Sequence, residues 1–218
     1  NILGHSCARV CPTEVLCEAV CVRNTQEDRP VAIGRLQRYA VDALMESDKP
    51  QVFTREAATG KKIAVVGAGP AGLACAYTLA RKGHDVTIFD ERPELGGMMR
   101  YGIPGFRTPR AVLDAEIQRI LDLGVTARMA TRIGTDITME QIRADFDAVF
   151  LGLGAQSGRP LPVEGSDAPN CVTATAYLKA FNDGRLRHVG KRVVVVGGGD
   201  TSIDVATVAR RLGHIEQA

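Results

Sequence analysis

The chain has 218 residues, of which 45% are hydrophobic and 24% are charged, and its formal net charge is +2. This composition is ordinary for a globular protein of one or two domains, and so small a charge argues against nucleic acid or an anionic membrane surface as a partner. No apolar run approaches the roughly 20 residues of a membrane span, and no secretory signal is present, so we expect a cytoplasmic protein. Because the sequence starts at Asn1 within a cysteine-rich stretch, we also expect a fragment.

Four of the six cysteines lie near the start of the chain, at Cys7, Cys11, Cys17 and Cys21. Without a secretory signal, this crowding favours metal binding over a disulfide framework. Cys11 precedes Pro12, a pair common at iron–sulfur ligands, and soft thiolates suit iron. The spacing matches neither a zinc ribbon nor a ferredoxin run. From the residues alone, an iron–sulfur ligand set, a zinc site and structural thiols all stay open.

A helix is predicted over residues 33–45, because five apolar residues fall on one face at helical spacing. They are Leu36, Tyr39, Ala40, Ala43 and Leu44. Gln37 lies beside this stripe and, from the pattern alone, is a solvated polar residue. Polar sequence with Pro50 and Gly60 follows, so we expect a linker over residues 51–61.

The strongest motif begins at Lys62, where four apolar residues after the lysine predict a buried parallel strand. Gly67, Gly69 and Gly72 follow at the G-x-G-x-x-G spacing of a dinucleotide site. The first glycine permits a tight turn, the second lets a pyrophosphate approach the backbone, and the third allows close packing of helix on strand. The helix predicted over residues 70–82 would direct its free N–H groups and its dipole at the phosphates.

Asp90 ends the next predicted strand, over residues 85–90, and places a carboxylate where a ribose hydroxyl would be held. The loop that follows contains Gly96-Gly97 and Gly102-Ile103-Pro104, which would permit close approach to a planar ligand. Arg107 and Arg110 could meet a phosphate or a carboxylate, but taken singly each is predicted to be solvated.

The pattern continues to alternate between helix and strand up to residue 155. We predict helices over 109–123 and 138–144 and strands over 125–130 and 148–151. Thr138 and Gln141 have the spacing of a capping box. Gly152 and Gly154 would let the chain pass close beside a bound dinucleotide. Residues 156–190 contain several prolines and glycines and are predicted to be a crossover with a helix over 173–181.

The strand–glycine–helix pattern then returns. A valine-rich strand is predicted over residues 192–196, before Gly197 and Gly199, and the small residue Ser202 takes the place of the third glycine. The repeat extends further, because a Gly-His pair follows each motif at the same offset, at Gly83 and at Gly213. Two units with matched offsets are stronger evidence for dinucleotide binding than either motif alone. The position that would match Asp90 falls beyond the last residue, so the sequence does not choose between NAD and NADP.

These features together resemble the glutamate synthase small (β) subunit family of FAD- and NAD(P)-dependent iron–sulfur oxidoreductases. That family includes the flavin subunit of bacterial dihydropyrimidine dehydrogenase. The resemblance covers essentially the whole chain. It is carried by residues 7–12, 16–17, 21, 33–38, 65–73, 96–97, 101–104, 149–154 and 196–201.

The resemblance implies an α/β fold with two Rossmann-like dinucleotide-binding units, preceded by a small α-helical iron–sulfur segment. The expected domains are a partial helical 4Fe-4S domain (1–50), the linker (51–61), an FAD-binding domain (62–155), the crossover (156–190) and the start of an NAD(P)-binding domain (191–218). The cysteines that complete the clusters are expected before Asn1, and the ends of the flavin and nicotinamide domains are expected after the last residue.

The resemblance also implies the site residues. At FAD it places Gly67, Gly69, Pro70, Ala71, Gly72, Asp90, Glu91, Arg92, Gly97, Arg100, Ile103 and Gly154. At NAD(P) it places Gly197, Gly199, Asp200 and Thr201. Cys11 and Cys17 would bind one cluster and Cys21 the other, while Gln37 matches an unusual ligand of dihydropyrimidine dehydrogenase where many glutamate synthase members have glutamate. Cys7 is not expected to bind a cluster, and no catalytic acid or base is implied.

The function implied by the resemblance is electron input, from NAD(P)H to FAD, then to 4Fe-4S clusters, and on to a larger catalytic or electron-accepting subunit in a hetero-oligomer. Glutamate synthase is the principal relative, and the flavin subunit of dihydropyrimidine dehydrogenase is the alternative. A flavin disulfide reductase would need a cysteine pair, whereas Cys75 and Cys171 are single, and Cys75 is predicted to pack in the core. A non-catalytic FAD-binding assembly module is the other alternative, and the intact glycine motifs argue against it.

Overall fold

A parallel four-stranded sheet lies at the centre of the chain. The computed structural model describes residues 2–28, 31–48 and 51–214. The strands are β1 (Lys62–Val66), β2 (Asp85–Phe89), β3 (Thr126–Arg128) and β4 (Ala148–Leu151), in the order β3-β2-β1-β4. Val66 is in register with Phe89 on one side and with Leu151 on the other, so three strands end at one edge of the sheet.

The described part of the chain contains eight α-helices. They are α1 (Gly4–Val10), α2 (Ile33–Met45), α3 (Pro70–Arg81), α4 (Met98–Tyr101), α5 (Arg110–Leu121), α6 (Met139–Asp145), α7 (Ala174–Asn182) and α8 (Asp200–Arg211). The main core, which includes Leu73 of α3, Ile88 of β2 and Ile120 of α5, lies on one face. Ile142 of α6 packs with Phe89 on the other face. No helix within the described ranges is long and apolar enough to cross a bilayer.

The cysteine-rich segment packs on the sheet domain through α1. Short 3₁₀ turns over Thr13–Val15 and Val22–Thr25 follow α1, and α1 contacts both α2 and α5. The carboxylate of Glu116 on α5 is fully buried. It accepts the backbone N–H of His5 at 2.7 Å and the hydroxyl of Ser6 at 2.6 Å. A carboxylate on α5 thus satisfies the first turn of α1, whose N–H groups have no helical partner.

A third apolar cluster joins α7 and α8. Leu178 of α7 is buried with Val205 and Val208 of α8. Beside it, β5 (His188–Val189) pairs in parallel with β6 (Gly213–His214).

The structure confirms most of the elements predicted from the sequence. The helix over 33–45 and the strand over 148–151 have the predicted bounds, and the other helices and strands of the first unit agree within a few residues. The capping box is present, since the hydroxyl of Thr138 accepts the N–H of Gln141 at 3.2 Å and the Gln141 side chain accepts the N–H of Thr138 at 2.8 Å.

The predicted strand over residues 192–196 is wrong. Residues 192–198 have irregular backbone, and Val194 is 87% exposed. A parallel strand exists only beside a neighbour that accepts and donates its ladder hydrogen bonds. Within the described part of the chain, no strand pairs with these valines. The apolar stripe of α2 is also largely exposed, with Tyr39 at 76%.

Candidate functional site

A cleft of about 300 Å³ opens where β1, β2 and β4 end. In open α/β sheets, ligands bind outside the carboxyl ends of the strands. Four of the predicted FAD residues line this cleft or its floor, namely Gly67, Asp90, Glu91 and Arg92. The cleft also has lining residues that the sequence did not single out, among them Thr131, Arg132, Leu153 and Gln156.

The glycine turn at the floor of the cleft requires the absence of side chains. Gly67 has a φ of +110°, a conformation that favours glycine. A Cβ on Gly72 would overlap the carbonyl oxygen of Gly67, and a Cβ on Gly97 would come within 2.5 Å of the Cα of Gly69. The backbone of the Gly96-Gly97 loop therefore lies directly against the glycine turn, and these residues fit the close backbone approach that a pyrophosphate requires.

The N-terminus of α3 is open to an anion. Gly69 caps it without a side-chain hydrogen bond, Pro70 occupies its first position, and Pro70 and Ala71 are exposed. Proline fits this position because its missing N–H would have no helical partner there. The remaining free N–H groups and the dipole make this end suitable for a phosphate.

Asp90 connects the end of β2 to the glycine turn. One carboxylate oxygen accepts the N–H of Ala68 at 2.7 Å, and the other accepts the N–H of Arg92 at 2.9 Å. An ionised carboxylate has about four acceptor positions, so both oxygens keep capacity for a ribose hydroxyl. Asp90, which is predicted to bind the ribose, therefore also fixes the conformation of the glycine turn.

Arg92 crosses the cleft. Its guanidinium lies 4.5 Å from the centre of the Tyr101 ring and donates to the side-chain oxygen of Gln156 at 2.6 Å. Gln156 in turn donates to the carbonyl of Leu153 at 2.9 Å. The sequence reasoning missed Gln156, since a glutamine in a loop carries no spacing signal. Glu91 lies at the rim, in an exposed ion pair with Arg132 at 3.5 Å.

Arg100 and Ile103 lie in the loop above the turn, which we call the flavin loop and define as residues 94–110. Arg100 is buried, donates to the carbonyl of Leu95 and forms an ion pair with Asp114 of α5. Its guanidinium therefore holds the loop on α5 in this structure. The carbonyl of Ile103 accepts Arg110 at 3.0 Å.

The predictions that Arg107 and Arg110 are solvated are wrong. Arg107 forms an ion pair with Asp204 of α8 at 2.7 Å. Arg110 donates to the carbonyls of Met99 and Ile103 and to the side chain of Asn182. Burial lowers the pKa of Arg110, although a guanidinium stays charged at any physiological pH. Both arginines hold the flavin loop against neighbouring helices.

Asn182, at the end of α7, is a further contact that the sequence did not indicate. Its side-chain amide donates to the carbonyls of Tyr101 and Ile103 at 3.0 and 3.2 Å, while its oxygen accepts Arg110 at 2.9 Å. The crossover helix therefore fixes the middle of the flavin loop.

The second glycine motif forms the turn before α8. Gly197 has a φ of +127° and Gly199 caps α8, while Asp200 and Thr201 are exposed at its first turn. The hydroxyl of Ser202 lies 2.6 Å from where a Cβ on Gly197 would be. Ser202 thus takes the place that Gly72, the third glycine, has in the first unit. The N-terminus of α8 is open in the same way as the N-terminus of α3, because neither has a side-chain cap.

The predicted metal ligands lie in the N-terminal segment and are not brought together. Cys11 is exposed, the thiol of Cys17 donates to the carbonyl of Thr13 at 3.9 Å, and Gln37 is exposed on α2. Backbone N–H groups, first that of Val31, lower the pKa of the Cys21 thiol and so favour the thiolate that binds metals. Over residues 2–28, 31–48 and 51–214, no three His, Cys, Asp or Glu side chains could hold a metal. The described residues do not form a complete cluster site, and the four ligands stay predictions.

Cys75 and Cys171 are both free. Cys75 packs against the main core, as predicted, and burial raises the pKa of its thiol. These two cysteines do not form the redox-active pair that a flavin disulfide reductase needs.

The family of the chain follows from comparison with known proteins. Residues 61–216 match the model of the pyridine nucleotide-disulphide oxidoreductases, and residues 1–49 match the dihydropyrimidine dehydrogenase domain II, 4Fe-4S cluster. The chain belongs to the pyridine nucleotide-disulphide oxidoreductase family. These matches confirm the α/β fold, the resemblance and the predicted cofactor classes, which are FAD, NAD(P) and 4Fe-4S clusters.

Two curated relatives and one solved structure illustrate the match. The chain is 39% identical over 215 residues to the NAD-dependent dihydropyrimidine dehydrogenase subunit PreT of Salmonella typhimurium, covering 98% of this chain and 51% of the relative. It is 37% identical over 224 residues to the glutamate synthase (NADPH) small chain of Escherichia coli, covering 98% and 47%. It thus spans about half the length of these curated relatives. Mycobacterium tuberculosis FprA in complex with NADPH, at 21% identity and a TM-score of 0.59 over 68% of this chain and 36% of that chain, shares the fold.

Proposed function

We propose that this chain is the electron-input part of an NAD(P)H-dependent oxidoreductase of the glutamate synthase small-subunit type. Electrons would pass from NAD(P)H through FAD towards 4Fe-4S clusters and a larger partner subunit. One observation carries this proposal: the open N-termini of α3 and α8, each behind a glycine turn, belong to one chain and are joined by the flavin loop. Phe106 of that loop packs on the apolar cluster of α7 and α8.

The residues of the first unit would bind and orient the flavin. The N-terminus of α3 would hold the pyrophosphate, Asp90 would accept a ribose hydroxyl, and the backbone at Gly97 leaves room for close approach. FAD, when bound, supplies an acceptor that takes two electrons and can release them singly. The protein's contribution is position and electrostatic environment, and no side chain is proposed to act as a general acid or base.

The acceptor of the electrons is part of the proposal. Glutamate synthase is the first candidate, and the second is the flavin subunit of an NAD-dependent dihydropyrimidine dehydrogenase. Gln37 favours the second candidate, since glutamine at this position resembles the pyrimidine enzyme. A larger subunit would receive the electrons in either case, so we propose a hetero-oligomer.

Anaerobic titration of the full-length protein with NADH and with NADPH tests the proposal. We expect one nucleotide to bleach the flavin absorbance in proportion to the amount added, and EPR signals of reduced clusters to follow. The nucleotide that does so at the lower concentration defines the preference that the sequence leaves open. The relay fails if neither nucleotide bleaches the flavin band.

The same EPR measurement tests Gln37. Gln37→Ala should change the signal of one cluster and leave the other unchanged. Gln26→Ala is the control and should change neither signal; Gln26 is the residue that follows the 3₁₀ turn Val22–Thr25. An unchanged spectrum for Gln37→Ala would remove the observation that favours the pyrimidine-type enzyme.

A further inference from the structure

Asp204 is a buried carboxylate on α8, one helical turn after Asp200. Its side chain is only 9% exposed, and Oδ2 accepts a hydrogen bond from Arg107 of the flavin loop at 2.7 Å. The other terminal nitrogen of Arg107 donates to the carbonyl of Val10, at the end of α1, at 3.4 Å. The guanidinium of Arg107, in the flavin loop, therefore contacts both α8, which belongs to the predicted NAD(P)-binding domain, and the end of α1 in the cysteine-rich segment.

Phe106, the residue before Arg107, adds a second contact between the flavin loop and α8. Phe106 packs against the cluster that contains Val205 and Val208, and the guanidinium of Arg211 lies 3.9 Å from the centre of the Phe106 ring. Apolar packing is non-directional, whereas a hydrogen-bonded ion pair fixes both distance and angle. Among these contacts, the pair of Arg107 and Asp204 is the one that can set the register of α8 along the loop.

We propose that the pair of Arg107 and Asp204 is a positioning contact that sets the geometry between the nicotinamide site on α8 and the flavin loop. This inference rests on the proposed function. Hydride transfer requires reacting atoms about 3–3.5 Å apart, and a displacement of about 1 Å can slow a reaction about 100-fold. The phosphate-binding turn at Gly197 and Gly199 lies one helical turn away and does not contain either residue. Loss of the pair should therefore slow flavin reduction without weakening nucleotide binding.

The test uses Asp204→Asn, Arg107→Met and the double variant in the full-length holoprotein. By anaerobic stopped flow, we expect each single variant to reduce its flavin about 10- to 100-fold more slowly at saturating NADH or NADPH. The nucleotide concentration for half-saturation should change less than about three-fold. The double variant should be no slower than the worse single variant, because either substitution alone already removes the ion pair.

Asp85→Asn is the matched control. Asp85 also pairs with an arginine, Arg55, but its side chain is 58% exposed. It lies at the amino end of β2, whereas the cleft lies at the carboxyl end of that strand. The same substitution there should leave the rate of flavin reduction unchanged, since exposed pairs contribute little. Hydrogen exchange provides a second readout that needs no cofactor: peptides over 102–109 and 200–211 should exchange faster in Asp204→Asn than in Asp85→Asn.

The inference is overturned if Asp204→Asn reduces its flavin at the wild-type rate, if the two single effects add in the double variant, or if only the half-saturation changes. Should Asp204→Asn not fold, Arg107→Lys keeps the charge without the planar fork and should still slow the reaction at unchanged half-saturation. If the wild type itself is not reduced by either nucleotide, the proposed function fails. Hydrogen exchange then still decides whether the pair holds α8 on the loop.

Discussion

A side chain on Gly67 would overlap the backbone carbonyl of Gly152, so the turn after β1 and the end of β4 touch backbone to backbone. The N–H of Gly152 donates to the carbonyl of Val66 at 2.7 Å and holds the two segments together at the edge of the cleft. The floor of the candidate flavin site therefore depends on glycine at this position for space as well as for its φ of +110°.

Gly67→Ala should abolish flavin binding and destabilise the protein strongly. Gly134→Ala is the matched control, because Gly134 also has a positive φ, of +90°, but no atom lies within 4 Å of where its Cβ would be. A side chain at such a φ alone costs about 1–3 kcal/mol, which is what we expect for Gly134→Ala. Urea unfolding and the ratio of flavin to protein measure both effects. Equal losses in the two variants would show that the contact with Gly152 is unimportant.

Asp90→Asn should weaken flavin retention about ten-fold or more. An asparagine has only one acceptor oxygen, so it cannot serve the N–H groups of Ala68 and Arg92 together, and a buried N–H without a partner costs about 1–3 kcal/mol. Asp85→Asn, at the exposed amino end of the same strand, should retain flavin normally. The measurement is the dissociation constant of FAD, from the recovery of flavin fluorescence on dilution. Wild-type affinity in Asp90→Asn would contradict the role of Asp90.

Local patterns predicted the first unit well, for physical reasons. The capping box of Thr138 and Gln141, the run of four apolar residues in β1 and the glycine spacing at Gly67 are all encoded within a few neighbouring residues. The strand over 192–196 has the same local signal and does not form, because a strand also needs a partner strand that no local pattern specifies.

The residues of the candidate site can likewise be separated into those that local sequence predicts and those that it does not. The glycine turn and Asp90 could be predicted from spacing, since a dinucleotide site needs those residue types at those positions. The contacts of Arg107 with Asp204 and of Arg110 with Asn182 could not be predicted. They join residues that are 97 and 72 positions apart in the sequence. An arginine without an acceptor in its local sequence is expected to be solvated, unless the fold brings an acceptor to it.

Asn182→Ala should loosen the flavin loop. The variant leaves the carbonyls of Tyr101 and Ile103 without the amide donor and removes one acceptor of Arg110. We expect a loss of about 1–3 kcal/mol and faster release of flavin. Asn182→Asp should be similar or worse, because it places a carboxylate oxygen against two carbonyls.

Asn24→Ala is the control for this prediction. Asn24 makes the same double donation, to the carbonyls of Glu18 and Ala19 at 2.9 and 3.1 Å, but it is exposed. Water can replace its hydrogen bonds, so flavin release should not change. Flavin release at the wild-type rate in both Asn182 variants would show that the end of α7 does not position the loop.

The buried carboxylate of Glu116 should make stability fall as the pH rises. Burial raises the pKa of Glu116 above its ordinary 4.5, although hydrogen bonds from Ser6 and His5 oppose the shift. Between 4.5 and the raised value, the folded state holds a proton that the unfolded state has released, so the slope of the unfolding free energy with pH is negative. The contribution of Glu116 is thus fully present below pH 4.5 and is lost as the pH passes through the folded-state pKa.

Glu116→Gln should remove this slope, because glutamine does not titrate and its oxygen still accepts from the first turn of α1. Glu116→Ala should instead destabilise the protein at every pH by leaving the N–H groups of His5 and Ser6 without an acceptor. Glu140→Gln is the control of opposite sign: backbone and hydroxyl hydrogen bonds lower the pKa of the exposed Glu140, so its small contribution is lost as the pH falls. Urea unfolding between pH 4.5 and 8 measures all four proteins. A wild-type slope that persists in Glu116→Gln would place the titrating group elsewhere.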